Sequence, residues 1–390
     1  MDNITHSLIG LAIGEAVAVH RKKARLPIWI ASAAANNLPD LDLVQTSLFF
    51  RDRLGYMLHH RGHTHTFAIG PLLGLLLLLG LWLWWRKRPD MPWKEIVFVS
   101  ILGSFTHLLA DFWNSYGVHP LWPVNQNWFY GDMVFIVEPW IWALILPMVF
   151  FACATKWGKS ICVLLLALIV GLAWKHEAVP APAAGILSLG VLLSFFAHWK
   201  IPSRGARVAL SIGVTAAVLV GLFALSQSIR KEYGRPGAEL ALHPFPANPL
   251  CWSGLRAALS STEYRAEAFT VAPFPSVFPV EKCPNLLEPV ITAPLAASAE
   301  THSPAVKYTG VFTAPRAELE KLSRDCRMNA FLRYARIPFW KKFNGGWIVG
   351  DLRYDREEGL GFTELFLPPE PVNCPHGVPP WIGRFHPEKI

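Results

Sequence analysis

The chain has 390 residues, 52% of them hydrophobic and only 16% charged, with a mean hydropathy of +0.31. A soluble domain carries roughly 25% charged residues, so an ordinary cytosolic globule, a disordered chain and a fibrous repeat are excluded. Much of the net charge of +8 sits in short clusters beside apolar segments, at residues 20–25, 86–88, 156–159 and 200–207; that is the positive-inside pattern of a membrane protein, not a stripe for nucleic acid.

The opening Met1-Asp2-Asn3-Ile4-Thr5-His6 does not read as a secretory signal, since it has no basic region and no small-residue cleavage site follows before the Arg21 cluster. Residues 4–19 and 28–38 are short and polar at their ends, which predicts a pair of half-buried or re-entrant helices. Apolar runs over 66–85, 95–113 and 134–154 predict spans. Runs over 161–174 and 183–199 predict a hairpin turned around Pro180-Ala181-Pro182, and 208–225 is the last span. With all four basic clusters on the cytoplasmic side the path is consistent, and everything after about Arg235 is extracytoplasmic. Arg230-Lys231 is the one mild violation.

From Pro236 onward proline is dense, charge rises and no run is long enough to span. Segments 306–312, 347–354 and 362–367 predict strands, and Leu319, Leu322, Cys326 and Phe331 predict one amphipathic helix. The expected architecture is mainly α: a polytopic helical membrane domain over 1–235, then a small extracytoplasmic α+β domain over 236–390. No internal repeat is visible. Cys153 and Cys162 read as small apolar side chains. Cys251, Cys283, Cys326 and Cys374 fall in the outer domain, where disulfides are permitted, and three pairings are open.

Ionisable side chains in apolar segments are costly and signal function. Here they cluster. His6 opens the first helix, and Asp40 and Asp42 follow the second. His59, His60, His63 and His65 fill one stretch, His107 and Asp111 lie four apart, and Asp132 and Glu138 precede the next span. The topology, built on Lys and Arg alone, brings all of them to the outer face. Imidazole nitrogen and carboxylate oxygen are the ligands zinc accepts. His107 and Asp111 share one helical face, and Asp40-Leu41-Asp42 offers two carboxylates suited to bridging two ions. A cation with an open position lowers the pKa of water to about 7, which gives a hydrolytic nucleophile. Arg61 offers a planar fork for phosphate or carboxylate.

Each residue also has a structural reading. His107 with Asp111 could be an ion pair, and His60 with His65 could be loop residues without a metal. Asp132 suits a turn, Glu138 a helix cap, and Asn36 with Asn37 a helix end. His20, His176 and His198 suit packing, and His119 a loop. His302, His376 and His386 suit surface loops.

Four ordered motifs carry a resemblance. Met1-Asp2-Asn3-Ile4-Thr5-His6-Ser7-Leu8, Asn37-Leu38-Pro39-Asp40-Leu41-Asp42, His59-His60-Arg61-Gly62-His63-Thr64-His65-Thr66 and His107-Leu108-Leu109-Ala110-Asp111 resemble the YdjM-type inner-membrane metal-dependent hydrolases over roughly the first 150 residues. Phe331-Leu332-Arg333-Tyr334 and Asp351-Leu352-Arg353-Tyr354 look like the outer domain of longer members. The resemblance implies a membrane-bound hydrolase and supports His6, Asp40, Asp42, His60, His65, His107 and Asp111. It gives less support to His63 and Asp132. Thr66 stands where the family usually has Ser, and it keeps the hydroxyl.

The expected protein is therefore a hydrolase of the bacterial inner membrane using one or two divalent ions, zinc first, at the outer face. His6, Asp40, Asp42, His65, His107 and Asp111 are the expected ligands. His60 is a ligand or general acid/base, and Arg61 binds the anionic substrate. A site at headgroup depth suggests a lipid or lipid-linked ester or phosphoester, with membrane lipid as partner and no nucleic acid. Two rivals remain. A metal or proton transporter is disfavoured because the groups gather at one face and inverted repeats are not visible. A non-catalytic scaffold would show four protein ligands and no open position.

Overall fold

A computed structural model of the chain describes residues 1–21, 25–284, 303–355, 360–370 and 373–389. Lys22 and Lys23 of the first basic cluster, and His302, lie outside the described residues.

The Asp2 carboxylate accepts from the backbone N–H of Ile4 (3.0 Å) and Thr5 (2.9 Å), satisfying donors that a helix start leaves free, and α1 (Asn3–Val17) begins there. It packs closely on α2 (Arg25–Ala35) because Gly10 has no side chain: a Cβ there would stand 2.7 Å from the Ser32 carbonyl oxygen. Pro39 heads a single 3-10 turn, Pro39–Leu41, that leads into α3 (Asp42–Phe49) and α4 (Arg53–His59). A second 3-10 turn, His63–His65, precedes α5 (Gly70–Trp85). Then follow α6 (Trp93–Phe112), α7 (Pro139–Ala152), the hairpin α8 (Lys156–Lys175) and α9 (Ala181–Lys200), and α10 (Arg204–Tyr233).

Among the described residues, α6, α8, α9 and α10 are long and apolar enough to cross a membrane. The run at 66–85 is less simple than its composition suggests. Its helix starts only at Gly70 and is bent by 74° from the preceding Arg53–His65 segment, so the pair is a broken span or a re-entrant loop. The run at 134–154 yields a helix of 14 residues, because Glu138 caps it and Pro139 opens it.

The helical layer has two chemically different ends. At one, the buried Glu15 carboxylate accepts from Arg204 (2.8 Å) and Trp29 (3.0 Å), Arg21 pairs with Glu95 (2.7 Å), and Arg25 donates to the Ala152 carbonyl. At the other end sit His6, the end of α6 and the segment joining α6 to α7, and there the C-terminal domain attaches.

That domain contains a four-stranded antiparallel sheet in the order β1-β2-β3-β4, from β1 (Glu239–Phe245), β2 (Asn248–Leu259), β3 (Glu263–Val271) and β4 (Val306–Pro315). Helices α11 (Arg316–Leu322) and α12 (Cys326–Tyr334) follow. A three-stranded antiparallel sheet completes it: β5 (Pro338–Phe343), β6 (Gly346–Asp351) and β7 (Leu365–Leu367). The one amphipathic helix expected over 319–331 is thus two, because Asp325 caps a fresh start by accepting from Arg327 and Met328 N–H. The strand expected over 347–354 ends at Asp351. Disulfides join Cys251 to Cys283 and Cys326 to Cys374, while Cys153 and Cys162 are free thiols.

Buried side chains couple this domain to the helices. Leu54, Met57, Leu58, Tyr116 and Trp128 share one apolar core with Phe331, Phe339, Leu352 and Trp381. The Trp381 indole donates to the Leu58 carbonyl (2.9 Å), and Arg353 donates to the Ser115 carbonyl (2.6 Å). Arg336 forms a bidentate pair with Asp132 (2.8 and 2.9 Å) and also bonds Glu239 (2.6 Å). Burial alone would raise the Asp132 carboxyl, but Arg336 and then Arg230 hold it below the ordinary carboxylate range. Arg230, out of place by the positive-inside pattern, therefore has a local partner.

Candidate metal centre

The candidate ligands reach one end of the helical layer from four segments. His6 stands on the second turn of α1, and His107 and Asp111 on the last two turns of α6. Asp40 lies in the 3-10 turn after α2 and Asp42 directly follows it, and His60 and His65 come from the connection between α4 and α5. His6, His65, His107 and Asp111 are completely buried. Gly103 helps bring α6 against the end of α2, since a Cβ there would lie 3.0 Å from the Asn36 nitrogen.

Two groups have ligand atoms all within 4.8 Å of one another: Asp40, His65, His107 and Asp111, and Asp40, Asp42 and His60. Asp40 belongs to both. In the first group, hydrogen bonding fixes the imidazoles. His107 Nδ1 faces the Asn36 carbonyl at 2.7 Å, and a carbonyl only accepts, so Nδ1 carries the proton and Nε2 is left as a lone pair. His65 Nδ1 faces Asp42 Oδ2 at 3.2 Å, and donating there directs its Nε2 inward in the same way. The two Nε2 atoms are 3.0 Å apart, and Asp111 Oδ2 lies 3.0 Å from His65 and 3.2 Å from His107. Asp111 Oδ2 has no hydrogen-bond partner among the described residues. Two inward nitrogens and two carboxylates crowded at such distances need a positive centre between them. A divalent ion supplies one, and the donor set suits zinc. Without an ion, one imidazole must hold an extra proton.

In the second group, Asp42 Oδ1 lies 3.1 Å from His60 Nδ1, while its Oδ2 accepts from Arg61 N (2.8 Å) and the Thr64 hydroxyl (3.0 Å). Burial would raise both Asp40 and Asp42. It is outweighed at Asp40 by His65 and His107 and at Asp42 by His65 and His60, so both stay below the usual carboxylate range. Arg61 has φ of +57°, a left-handed backbone uncommon outside glycine. That conformation turns its N–H to Asp42 while its guanidinium meets Asp111 at 2.9 Å.

Not every expected ligand falls inside a group. His6 is outside both: its ring stacks on His107 with centroids 3.8 Å apart, and its Nε2 lies 3.3 Å from Asp111. Asp132 is occupied by Arg336 and Arg230, and Glu138 caps α7. Asn36 and Asn37 close the end of α2, donating to the Ser32 and Ala33 carbonyls. His63 is exposed. His119 is a loop residue as expected, but a buried one, packed against Trp381 with Nδ1 3.2 Å from the Arg61 carbonyl. His386 is likewise buried and pairs with Asn329, whereas His20 and His176, expected to pack, are exposed.

Supporting residues went unnoticed in the sequence. Asn3 donates to Asp40 (2.9 Å), Thr64 to Asp42, and Asn114 accepts from Arg61 (3.0 Å), whose guanidinium lies over the Tyr116 ring. Asn3 and Thr64 stand inside the quoted motifs. Asn114 and Tyr116 directly follow the last one, so polarity just past a ligand-bearing helix was the available signal.

The decisive comparison is with a protein family. Residues 1–179 match the family model described as YdjM inner membrane protein. All eight residues named for the site in the sequence lie within the matched segment, and the apolar helices agree with a membrane protein. The YdjM match stops before α9, α10 and the sheets of the C-terminal domain. No curated protein and no solved structure matches the chain.

Proposed function

We propose that this chain is a metal-dependent hydrolase acting at the outer face of the inner membrane on a lipid or lipid-linked ester or phosphoester. One observation carries the reading: two ligand groups share Asp40, and they differ in closure. Asp40, His65, His107 and Asp111 make a buried set of four, suited to a firmly held ion. Asp40, Asp42 and His60 make a set of three at the edge of a cavity of about 340 Å³ that His60 and Arg61 line. A three-ligand set leaves room for substrate, as catalytic zinc sites do.

A divalent ion there would supply Lewis acidity and a water acidic enough to attack at neutral pH. Asp42 orients His60 through Nδ1, and Arg61 is placed to hold an anionic oxygen beside it. The outward orientation rests on two supports. The basic clusters lie at the opposite end of the helical layer, and two disulfides mark the C-terminal domain as built for an oxidising compartment.

A second reading has its own observation. The four-ligand set is what a scaffold would use to pin α2, α6 and the α4–α5 connection. Metal analysis of detergent-purified protein, with turnover of lipid esters and phosphoesters, separates the two. The hydrolase reading expects bound divalent metal and turnover that His60→Ala abolishes while the four-ligand set keeps its ion. Bound metal with no turnover on any ester would support the scaffold, and no bound metal would overturn both.

A further inference from the structure

The cavity beside His60 reaches past the metal ligands and is built by both halves of the chain. Its inner end is polar. Arg61, Asn114 and Tyr116 are each more than nine-tenths buried, and all three line the cavity. Among the described residues, Arg61 Nε, Asn114 Nδ2 and the Tyr116 hydroxyl have no hydrogen-bond partner. Buried polar groups are almost always satisfied, so three unused groups able to donate, all on residues that line one cavity, indicate a missing acceptor. Asn114 is oriented by its other end: Oδ1 already accepts from Arg61 Nη1 (3.0 Å) and Tyr116 N (2.8 Å), which assigns the amide nitrogen as the free end.

The outer end is apolar. Phe135 and Ile136, from the segment joining α6 to α7, line it together with Tyr354 and Phe362 of the C-terminal domain. Ile136 and Phe362 are 44% and 40% exposed, so the wall continues outward. Three donors with a guanidinium at the base match a phosphoryl group, and the aromatic mouth matches an apolar chain.

We propose that this cavity binds a phosphate ester of an apolar alcohol, with Arg61, Asn114 and Tyr116 holding the phosphoryl oxygens and Phe362 of the C-terminal domain selecting the chain. This rests on the hydrolase reading for its meaning, but the binding stands on the cavity itself. The segment beyond residue 179 thereby contributes specificity to a centre whose ligands all lie before it.

The test uses full-length, zinc-loaded protein in detergent and two non-hydrolysable probes, methylphosphonate and hexylphosphonate, with affinity measured by calorimetry. Hexylphosphonate is expected to bind at least about tenfold more tightly, since each buried methylene adds appreciable affinity. Phe362→Ala, near the surface, should erase most of that difference and leave methylphosphonate unchanged. Asn114→Asp keeps the accepting oxygen, replaces the donor with a charge, and should abolish binding of both probes. Tyr116→Phe, a milder change that guards against misfolding, should weaken both about fivefold. Equal affinity for the two probes would overturn the chain-binding part. Wild-type affinity in both Asn114→Asp and Tyr116→Phe would overturn the phosphoryl part. Turnover of hexyl phosphate is scored separately. Chain-dependent binding without turnover counts against the hydrolase and leaves the pocket standing, whereas turnover without chain dependence does the reverse.

Discussion

Two clusters of buried ionisable groups lie near each other in this protein, and they solve the same problem differently. Around Asp132 and Asp351, each carboxylate faces a guanidinium: Arg336 and Arg230 on Asp132, Arg353 on Asp351, with Glu239 on Arg336. Three acids meet three arginines, and the set is neutral within itself. Around Asp40, Asp42 and Asp111 there are also three acids, but among the described residues only two cations meet them, the Arg61 guanidinium and the Met1 α-ammonium, both on Asp111, and the other ionisable partners are histidines. A buried charge must be paired or coordinate an ion. Charge balance, more than the presence of polar residues, therefore separates a structural network from a candidate metal centre.

The largest effect expected from this contrast is on the neutral network. Arg336→Met would leave Asp132 buried without its bidentate partner, a change that typically costs about 3–5 kcal/mol. Thermal unfolding should show the loss, and Asp132→Asn added to it should restore part. Metal content per folded chain should stay at the wild-type level. Loss of metal in Arg336→Met would erase the distinction between the two clusters.

The complementary change acts on the other side. His107→Ala and Asp111→Ala remove one ligand each from the four-ligand set and should lose the firmly held ion, read by elemental analysis. An ion present at about 100 times its dissociation constant contributes roughly 2.7 kcal/mol to apparent stability. Chelation should therefore lower the melting temperature of wild type and leave that of His107→Ala nearly unchanged. Equal sensitivity to chelator in both would assign the ion to some other place.

The sequence disclosed these clusters unevenly, for physical reasons. Asp40, Asp42, His60, His65, His107 and Asp111 were legible because a charge inside an apolar run has few explanations, and because the basic clusters fixed which ends of the helices meet. His6 was legible as a site residue, but its stacking on His107, outside both ligand groups, depends on how closely α1 packs. The neutral network was not legible as a network, although Asp132 stood among the clustered acids and Asp351 and Arg353 in a quoted motif. Asp132 and Arg336 are 204 residues apart, and each looks like an ordinary loop residue in its own neighbourhood. Among the strands, β4, β6 and β7 showed their alternation, whereas β1, β2, β3 and β5 were missed. Strands β1 to β3 are buried along most of their length and rich in Ala, so they lack the period-two pattern of a half-exposed strand.

A smaller effect concerns what holds the outer cluster in place. The Cys326–Cys374 disulfide ties the start of α12 to the chain after β7, and α12 carries Arg333, whose carbonyl accepts from Trp128 of the site-side loop. Replacing both cysteines with serine closes no loop and should cost about 2–4 kcal/mol. The loss should appear as earlier unfolding of the C-terminal domain with metal still bound. Release of the ion at the same temperature would mean that the two clusters unfold as one unit.

The smallest effect is the dependence of the neutral network on pH, and its sign follows from the direction of one shift. Asp132 has its carboxyl held below the ordinary range by Arg336 and Arg230, with His243 adding to the same direction and burial opposing. A group depressed in the folded state binds protons less readily there than in the unfolded chain, where it titrates near the ordinary value of about 3.9. Its contribution is therefore complete above that value and fades as pH falls toward the folded one. The stability gap between wild type and Asp132→Asn should be flat from neutral pH down to about 5 and should narrow below about 4. A gap that widens on acidification would mean that Asp132 is protonated in the folded protein, and the network would then share the charge imbalance assigned here only to the metal centre.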